Sequence, residues 1–546
     1  MLRFIALSGT TGVTENLYIY EQDGEMMIVD CGIGFPDLEM PGVDLVLPDY
    51  SYVVKNKEKL RGIVVSQGHE DHIGALPFLL RDVNVPIWAA PLVTEFIKDK
   101  FKDYGVKNYK INTFNPDSDK FQVGPFVVQP FRVTHSIPDT AGFAIDTSEG
   151  RVFHVPEHKM DQNPVGGSAF DIARAKELAK NGATFLASDC LGSNKVGTIE
   201  SELPIEGRML EIVKNAKQAV LITAISSNIG RFQQMVNVAQ NTGRKVVFVG
   251  RSIQKKAEMA HNLGYLKYSA DQIVSYKELE DLRPNQILYI VSGCFGQVGS
   301  SVYRISQGDH DKVKVNKGDT FIFSADPAPA YSKESEDFVI DNLIDKELDV
   351  HYYDLKEGLY VSGHGGQEDI KKLFDIVKPK YFIPIGGTIR FMHAYEKLVE
   401  STGVSTSRVF KLKAGESVVL DKGNIVRGET VPTKEVLVHG LGIGDIGKVV
   451  LEDRATLGNE GIVVVVLKVN KGRNIEDIEI TSRGFVYERL DRSILEGAKD
   501  LLAKTLRSKR SLDFKGLKDE SINFLEKHFF KVTGRSPMIL PVIVEI

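Results

Sequence analysis

The segment Ser66-Gln67-Gly68-His69-Glu70-Asp71-His72 constrains this chain more than any other. Just before it, Gly62-Ile63-Val64-Val65 is short, apolar and β-branched, which predicts a buried strand. Just after it, Ile73, Leu76, Leu79 and Leu80 recur at helical spacing and predict a helix leaving the segment. His69, Asp71 and His72 therefore sit on a turn between a strand and a helix. Imidazole and carboxylate groups packed this closely suit a divalent metal, and a second metal could share the cluster. The same histidines would also serve as buried, hydrogen-bonded residues of a turn, so the segment speaks more strongly for fold than for metal occupancy.

Further segments add candidates. Leu17–Tyr20 and Met27–Asp30 are expected to close as a hairpin around Asp23-Gly24. Asp30 is left at a strand end, where it either supports the metal loop or caps the following turn. The run Phe126–Val133 predicts a strand leading to Thr134-His135-Ser136-Ile137-Pro138-Asp139. The run Arg151–Val155 predicts another, leading to Pro156-Glu157-His158-Lys159. A second α/β pattern occupies about 204–357, with strands expected at Leu221–Ile225, Val246–Val249 and Ile287–Val291. Its loops Ser226-Ser227-Asn228 and Gly250-Arg251-Ser252 put hydroxyls, backbone N–H groups and an arginine near helix starts. That arrangement suits phosphate, and ordinary loop chemistry equally well.

A chain of 546 residues exceeds one core and is expected to divide into about three or four domains. Its 42% hydrophobic and 26% charged residues are those of a globular protein. The three cysteines, Cys31, Cys190 and Cys294, are far apart, which argues against a disulfide framework and fits a reducing cytoplasm. The opening Leu2–Leu7 run is too short for a signal peptide, and no later stretch is apolar enough for a bilayer, so no membrane association is expected. With a formal net charge of −5, nucleic acid would have to be met by a locally positive groove. Lys504, Arg507, Lys509 and Arg510 end a helix expected over 493–507, and read better as a solvated face than as an RNA contact.

The 66–72 segment resembles the T-H-x-H-x-D-H motif of the metallo-β-lactamase superfamily, with Gln67 in place of the first histidine. Thr134-His135 resembles that superfamily's third metal motif. Pro156-Glu157-His158-Lys159 stands where the pattern T-G-D-[FY]-K is usual, with Glu157 for the bridging aspartate. Ser226-Ser227-Asn228-Ile229-Gly230-Arg231, Gly318-Asp319-Thr320-Phe321-Ile322-Phe323-Ser324 and Ser362-Gly363-His364-Gly365-Gly366 are similar to segments of β-CASP ribonucleases, and within them of the ribonuclease J family. Ser292-Gly293-Cys294-Phe295-Gly296-Gln297 departs from that family's T-G-S-Q-G-E. Gly386 follows the strand Tyr381–Ile385 where the family carries a histidine of the second metal site.

The resemblance implies an α/β architecture: a metallo-β-lactamase αββα sandwich, an inserted doubly wound β-CASP domain and a small α+β C-terminal domain. The expected limits are 1–203 and 358–430 for the sandwich, 204–357 for the insertion, 431–446 for a linker and 447–546 for the last domain. It implies metal positions at His69, Asp71, His72, His135 and Glu157, with Gln67 and Gly386 as degenerate positions. It further implies catalytic roles for Asp71 and His364, and RNA binding by Tyr360, Val361, Ser362, Gly363, His364, Ser227 and Asn228. Replacement of His by Gln67 and Gly386 shifts the donors toward oxygen, so Mn²⁺ or Zn²⁺ is expected to be held weakly, with Mn²⁺ favoured. His158 is a further imidazole that either substitutes for a ligand or packs. Altogether the chain resembles the second, degenerate-site bacterial paralogue of the family. The implied function is slow 5′-to-3′ exonucleolytic, or internal, cleavage of single-stranded RNA in mRNA turnover and rRNA maturation. The implied partners are an intact ribonuclease J paralogue, a second copy of the chain and other RNA-decay proteins, in the cytoplasm. The alternative is a catalytically inactive RNA-binding scaffold subunit of the same complex.

Overall fold

The computed structural model describes residues 1–546 apart from 38, 330–331, 441, 472–473, 487 and 510–511. Arg510 thus lies outside the described residues. Asp23 and Gly24 both take positive φ, 54° and 78°, and join Leu17–Gln22 to Glu25–Val29 in the expected antiparallel hairpin. That hairpin belongs to an eight-stranded sheet containing Leu2–Ser8, Leu60–Val64, Ile87–Ala89 and, from late in the chain, Ser417–Asp421 and Asn424–Arg427. A six-stranded sheet faces it, ordered Pro379–Ile385, Ala183–Asp189, Gly150–Val155, Ala141–Thr147, Phe126–Arg132, Phe121–Val123. Rings interlock between the two sheets: Phe4 lies 5.5 Å from Phe185, and Tyr20 lies 6.3 Å from Phe126. The outer side of the second sheet is covered by Ile172–Leu178, Gln367–Val377 and Ile389–Ser401, with Phe374 packed on Phe382 and Tyr395.

Ala183–Asp189 and Pro379–Ile385 are parallel neighbours, with Asp189 opposite Ile385. The chain leaves the sandwich after the first of these strands and returns to it with the second. Between them it builds a five-stranded parallel sheet: Lys245–Val249, Ile287–Val291, Val220–Thr223, Thr320–Phe323, Asp349–His351. All four Val220–Thr223 side chains are buried, as a central parallel strand requires. The helix Ile229–Asn241 of this part is followed by Gly243 in the left-handed conformation.

These elements form one compact unit, Met1–Phe35 with Val46–Val436; Pro36–Leu45 with Leu437–Ile546 form another. In the second, Ile475–Arg483, Ile462–Val469 and Met538–Glu545 make a three-stranded sheet. Helices Glu488–Ser508 and Phe514–Thr533 close its core around Val465, Leu502, Leu525 and Phe529. Lys509 pairs with Glu520 at 2.6 Å, so part of the basic run is compensated. Within the stretch expected as a linker, Val436–His439 and Gly442–Ile443 pair antiparallel. The single helix expected after His72 is two short ones, Glu70–Ile73 and Leu76–Leu79. Pro77 has no N–H to offer the Ile73 carbonyl, and the helical ladder breaks there.

Candidate metal centre and nucleic-acid cleft

The turn 66–72 is held from beneath by Asp30. This residue ends the strand Glu25–Val29 with φ at +61°, a strained conformation for a residue with a side chain. Its Oδ1 accepts from the Ser66 backbone N–H at 2.7 Å; its Oδ2 accepts from the Ser66 hydroxyl at 2.6 Å and meets His72 Nδ1 at 2.8 Å. Of the two readings of Asp30, the structure gives it the supporting one: it orients His72 with Nε2 inward. Gly32 lets the loops touch, since a Cβ there would lie 1.6 Å from the Asp71 carbonyl oxygen.

Around this turn the donors converge on one oxygen, Glu157 Oε2. His135 Nε2 is 3.1 Å away, His72 Nε2 3.7 Å and His69 Nδ1 3.8 Å. Two ligand groups result, His69–His135–Glu157 and Asp71–His72–Glu157, each with donor atoms within 4.8 Å of one another. Gln67, fully buried, donates its amide to Glu157 Oε2 at 2.5 Å and leaves its own Oε1 without a partner. Asn16 Nδ2 stands 3.1 Å from His72 Nε2 and 3.3 Å from Asp71 Oδ2. His158 packs away from the cluster, with Nδ1 on the Pro156 carbonyl at 3.0 Å. Gly386 takes φ +67° and offers no donor of its own; a Cβ there would sit 3.5 Å from Asp189 Oδ1.

Charge follows from burial and neighbours. Burial draws His69 down to about 4 against the pull of Glu157. Burial, then the charge of Glu157, lifts Asp71 to about 7. For Glu157 burial alone would raise the pKa, yet the imidazoles of His135, His69 and His72 hold it well below the ordinary value. His72 is raised, because Asp71 and Asp30 outweigh its burial.

His364 arrives on the loop after Gly358. Its Nδ1 meets Asp189 Oδ2 at 2.8 Å, and its ring lies 5.5 Å from that of His135. Burial would lower this imidazole, but Asp189 lifts it to about 9. The loop is fastened at several points. His135 Nδ1 lies 2.9 Å from the Gly363 carbonyl, and Arg208 donates to the Gly358 carbonyl at 2.7 Å. Arg231, buried in the inserted part, donates to the Leu359 carbonyl at 3.0 Å and pairs with Glu202 at 3.0 Å. Tyr360, Val361, Gly363, His364, Ser227 and Asn228 line the same cavity of about 430 Å³ as His69, Asp71, His135 and Glu157. Ser362 does not line it; its hydroxyl accepts from the His364 N–H at 3.3 Å within the loop. Asn228 Oδ1 caps the helix Ile229–Asn241 by accepting from Arg231 N. Asn16 and Asp189 were not singled out from sequence. The signal for Asp189 was a carboxylate at the C-terminal end of a buried strand; Asn16 offered none.

A two-sheet sandwich with helices outside, a parallel α/β insertion before its last strand, and a His/carboxylate cluster beneath the cleft define a metallo-β-lactamase-type metallohydrolase of the β-CASP class. Residues 27–169 match the Beta-lactamase superfamily domain and 217–343 the Ribonuclease J, beta-CASP domain. Residues 353–409 match the Zn-dependent metallo-hydrolase RNA specificity domain and 449–546 the Ribonuclease J C-terminal domain. Ribonuclease J2 of Bacillus subtilis is 30% identical over 563 positions, covering 100% of this chain and 99% of that protein. Ribonuclease J 2 of Staphylococcus saprophyticus is 34% identical over 552 positions, covering 100% and 98%. The chain belongs to the ribonuclease J family, on the side of its second paralogue. A crystal structure of a protein of unknown function from Enterococcus faecalis V583 superposes with a TM-score of 0.53 at 14% identity, covering 77% of this chain and 100% of that one, a likeness of fold alone.

Proposed function

We propose that the chain binds single-stranded RNA in this cleft and hydrolyses its phosphodiester bonds slowly, chiefly from a 5′-monophosphate end, with an intact ribonuclease J paralogue as its partner. The observation that carries the reading is the convergence of His69, His72 and His135 on Glu157 Oε2 beside the Asp189-held His364. The donors fit a divalent cation: the His69 and His135 imidazoles with Glu157 on one side, and Asp71, His72 and the shared Glu157 on the other. When bound, such an ion lowers the pKa of water and offsets charge on the phosphate. The oxygen-rich set and the bare Gly386 position favour Mn²⁺ over Zn²⁺ and weak binding.

The chain's own groups then divide the work. Asp71, at the edge of the ligand cluster, orients the attacking water through its carboxylate. His364, lifted to about 9 by Asp189, stays protonated, offsets charge on the phosphate and donates a proton to the leaving oxygen. The loop 360–364, fastened by Arg231 and His135, holds the phosphate against these groups.

A second reading has its own support. Gln67 already satisfies Glu157, and Gly386 adds no ligand, which suits an RNA-binding scaffold without turnover. Metal-stripped protein is given 5′-monophosphorylated single-stranded RNA and titrated with Mn²⁺, beside Asp71→Ala and His364→Ala. Metal-dependent nucleotide release, absent from both variants, is expected. RNA binding without release would replace the hydrolase by the scaffold.

A further inference from the structure

The helix Arg251–Asn262 brings Lys256 to the seam between two hollows. With Glu70 and Ser292, Lys256 lines both the catalytic cavity and a second groove of about 630 Å³ beside helix Pro91–Asp103. The carboxylates of that groove are already engaged. Glu70 pairs with Lys100 at 2.5 Å, and Asp99 and Asp103 each pair with Lys255 at 2.9 Å. Lys256 makes no hydrogen bond or ion pair within 4.0 Å among the described residues; its ammonium lies 5.6 Å from the Phe96 ring centroid. A ring face attracts a cation but accepts little from its three N–H donors. Burial holds the ammonium's pKa below the ordinary lysine value, against the pull of Glu70. A half-buried cation with no acceptor carries a desolvation cost that an arriving anion removes.

We propose that Lys256 holds a backbone phosphate of single-stranded RNA where the strand passes from the catalytic cavity into the second groove, a contact separate from the 360–364 loop. The proposal rests on the RNA reading above. A lysine there is a point charge, so it positions the backbone and does not discriminate bases.

The test uses full-length, metal-stripped protein and a 5′-monophosphorylated single-stranded RNA of about 16 nucleotides, with binding followed by fluorescence anisotropy. Lys256→Met, Lys256→Arg and the exposed-lysine control Lys397→Met are compared with wild type. Lys256→Met is expected to weaken binding about tenfold, as loss of a charge-assisted hydrogen bond does. It should also reduce the slope of log K against log salt by about 0.7, one phosphate's share for a single strand. Lys256→Arg should bind nearly as wild type, and Lys397→Met should change little. Equal binding by wild type and Lys256→Met overturns the subsite and leaves the RNA reading standing. Equal weakening by Lys256→Met and Lys397→Met, or failure of arginine to restore binding, also overturns it. Absence of RNA binding by wild type removes both.

Discussion

The longer side chain of Glu157 carries Oε2 to 3.1 Å from His135 Nε2, between imidazoles contributed by two separate loops. His69, Asp71, His72 and His135 were legible as candidates because each sits at a strand end in a metal-ligand pattern. The amide of Gln67 as a donor to Glu157 was not, because a side chain's rotamer depends on what faces it. Combining Gln67→His with Gly386→His should raise Mn²⁺ affinity in isothermal titration calorimetry. It should also cost about 1 kcal/mol of stability, because position 386 has φ +67°. Unchanged metal affinity would count against the degenerate-ligand account. The His364–Asp189 pair gives a pH signature. His364 is held above its ordinary value of 6.5, at about 9, so its charged form persists through neutrality and is lost as pH rises through about 9. Cleavage should fall over that window, and Asp189→Asn should move the alkaline limb to lower pH. A limb that stays in place would dissociate His364 from the proton transfer.

Elements meet at points that tolerate little change. Gly32 and Gly24 are both glycines beside strand Glu25–Val29, yet they serve different ends. Gly24 turns a hairpin at φ +78° with open space around it, and Gly24→Ala should cost about 1 kcal/mol. Gly32→Ala drives a Cβ to 1.6 Å from the Asp71 carbonyl, so a loss of at least about 3 kcal/mol and a disordered metal turn are expected. Urea unfolding and Mn²⁺ affinity of the two variants, measured together, check the contrast. Arg231 joins helix Ile229–Asn241 to the Leu359 carbonyl and to buried Glu202, which Lys159 approaches only to 3.8 Å. Arg231→Met removes the nearer of the two cations facing buried Glu202, leaves Lys159 at 3.8 Å, and should cost about 3 kcal/mol. Thermal melts would show it, and an unchanged melting temperature would argue against the strut. The strands and the Gly24 hairpin were readable from period and turn chemistry. The break at Pro77 was present in the letters but hidden by the regular spacing of Ile73, Leu76 and Leu79.

Across the whole molecule, two compact units and a cluster of candidate metal ligands that falls, among the described residues, in one of them imply separable unfolding. Calorimetry should resolve two transitions. Mn²⁺ at about a hundred times its dissociation constant should stabilise one of them by about 2.7 kcal/mol, and EDTA should reverse only that shift. A single transition moving as one would contradict this. No helix of the described residues is long and apolar enough to cross a membrane. What the sequence by itself determined is local: strand and helix periods, the turn that clusters His69, Asp71 and His72, and the segments that carry the family likeness. Those features arise between residues a few positions apart, where backbone geometry dictates which side chains share a face. Only the tertiary structure decided that His364 faces Asp189, that Arg231 fastens the 359–364 loop, that Asn16 leans on His72, and that Lys256 stands without an acceptor. The His364 and Arg231 contacts depend on the chain's return from the insertion, where Pro379–Ile385 pairs parallel with Ala183–Asp189, whereas the Asn16 contact is made among the loops of the eight-stranded sheet. The His364–Asp189 pair spans 175 positions, a distance over which no local spacing carries information.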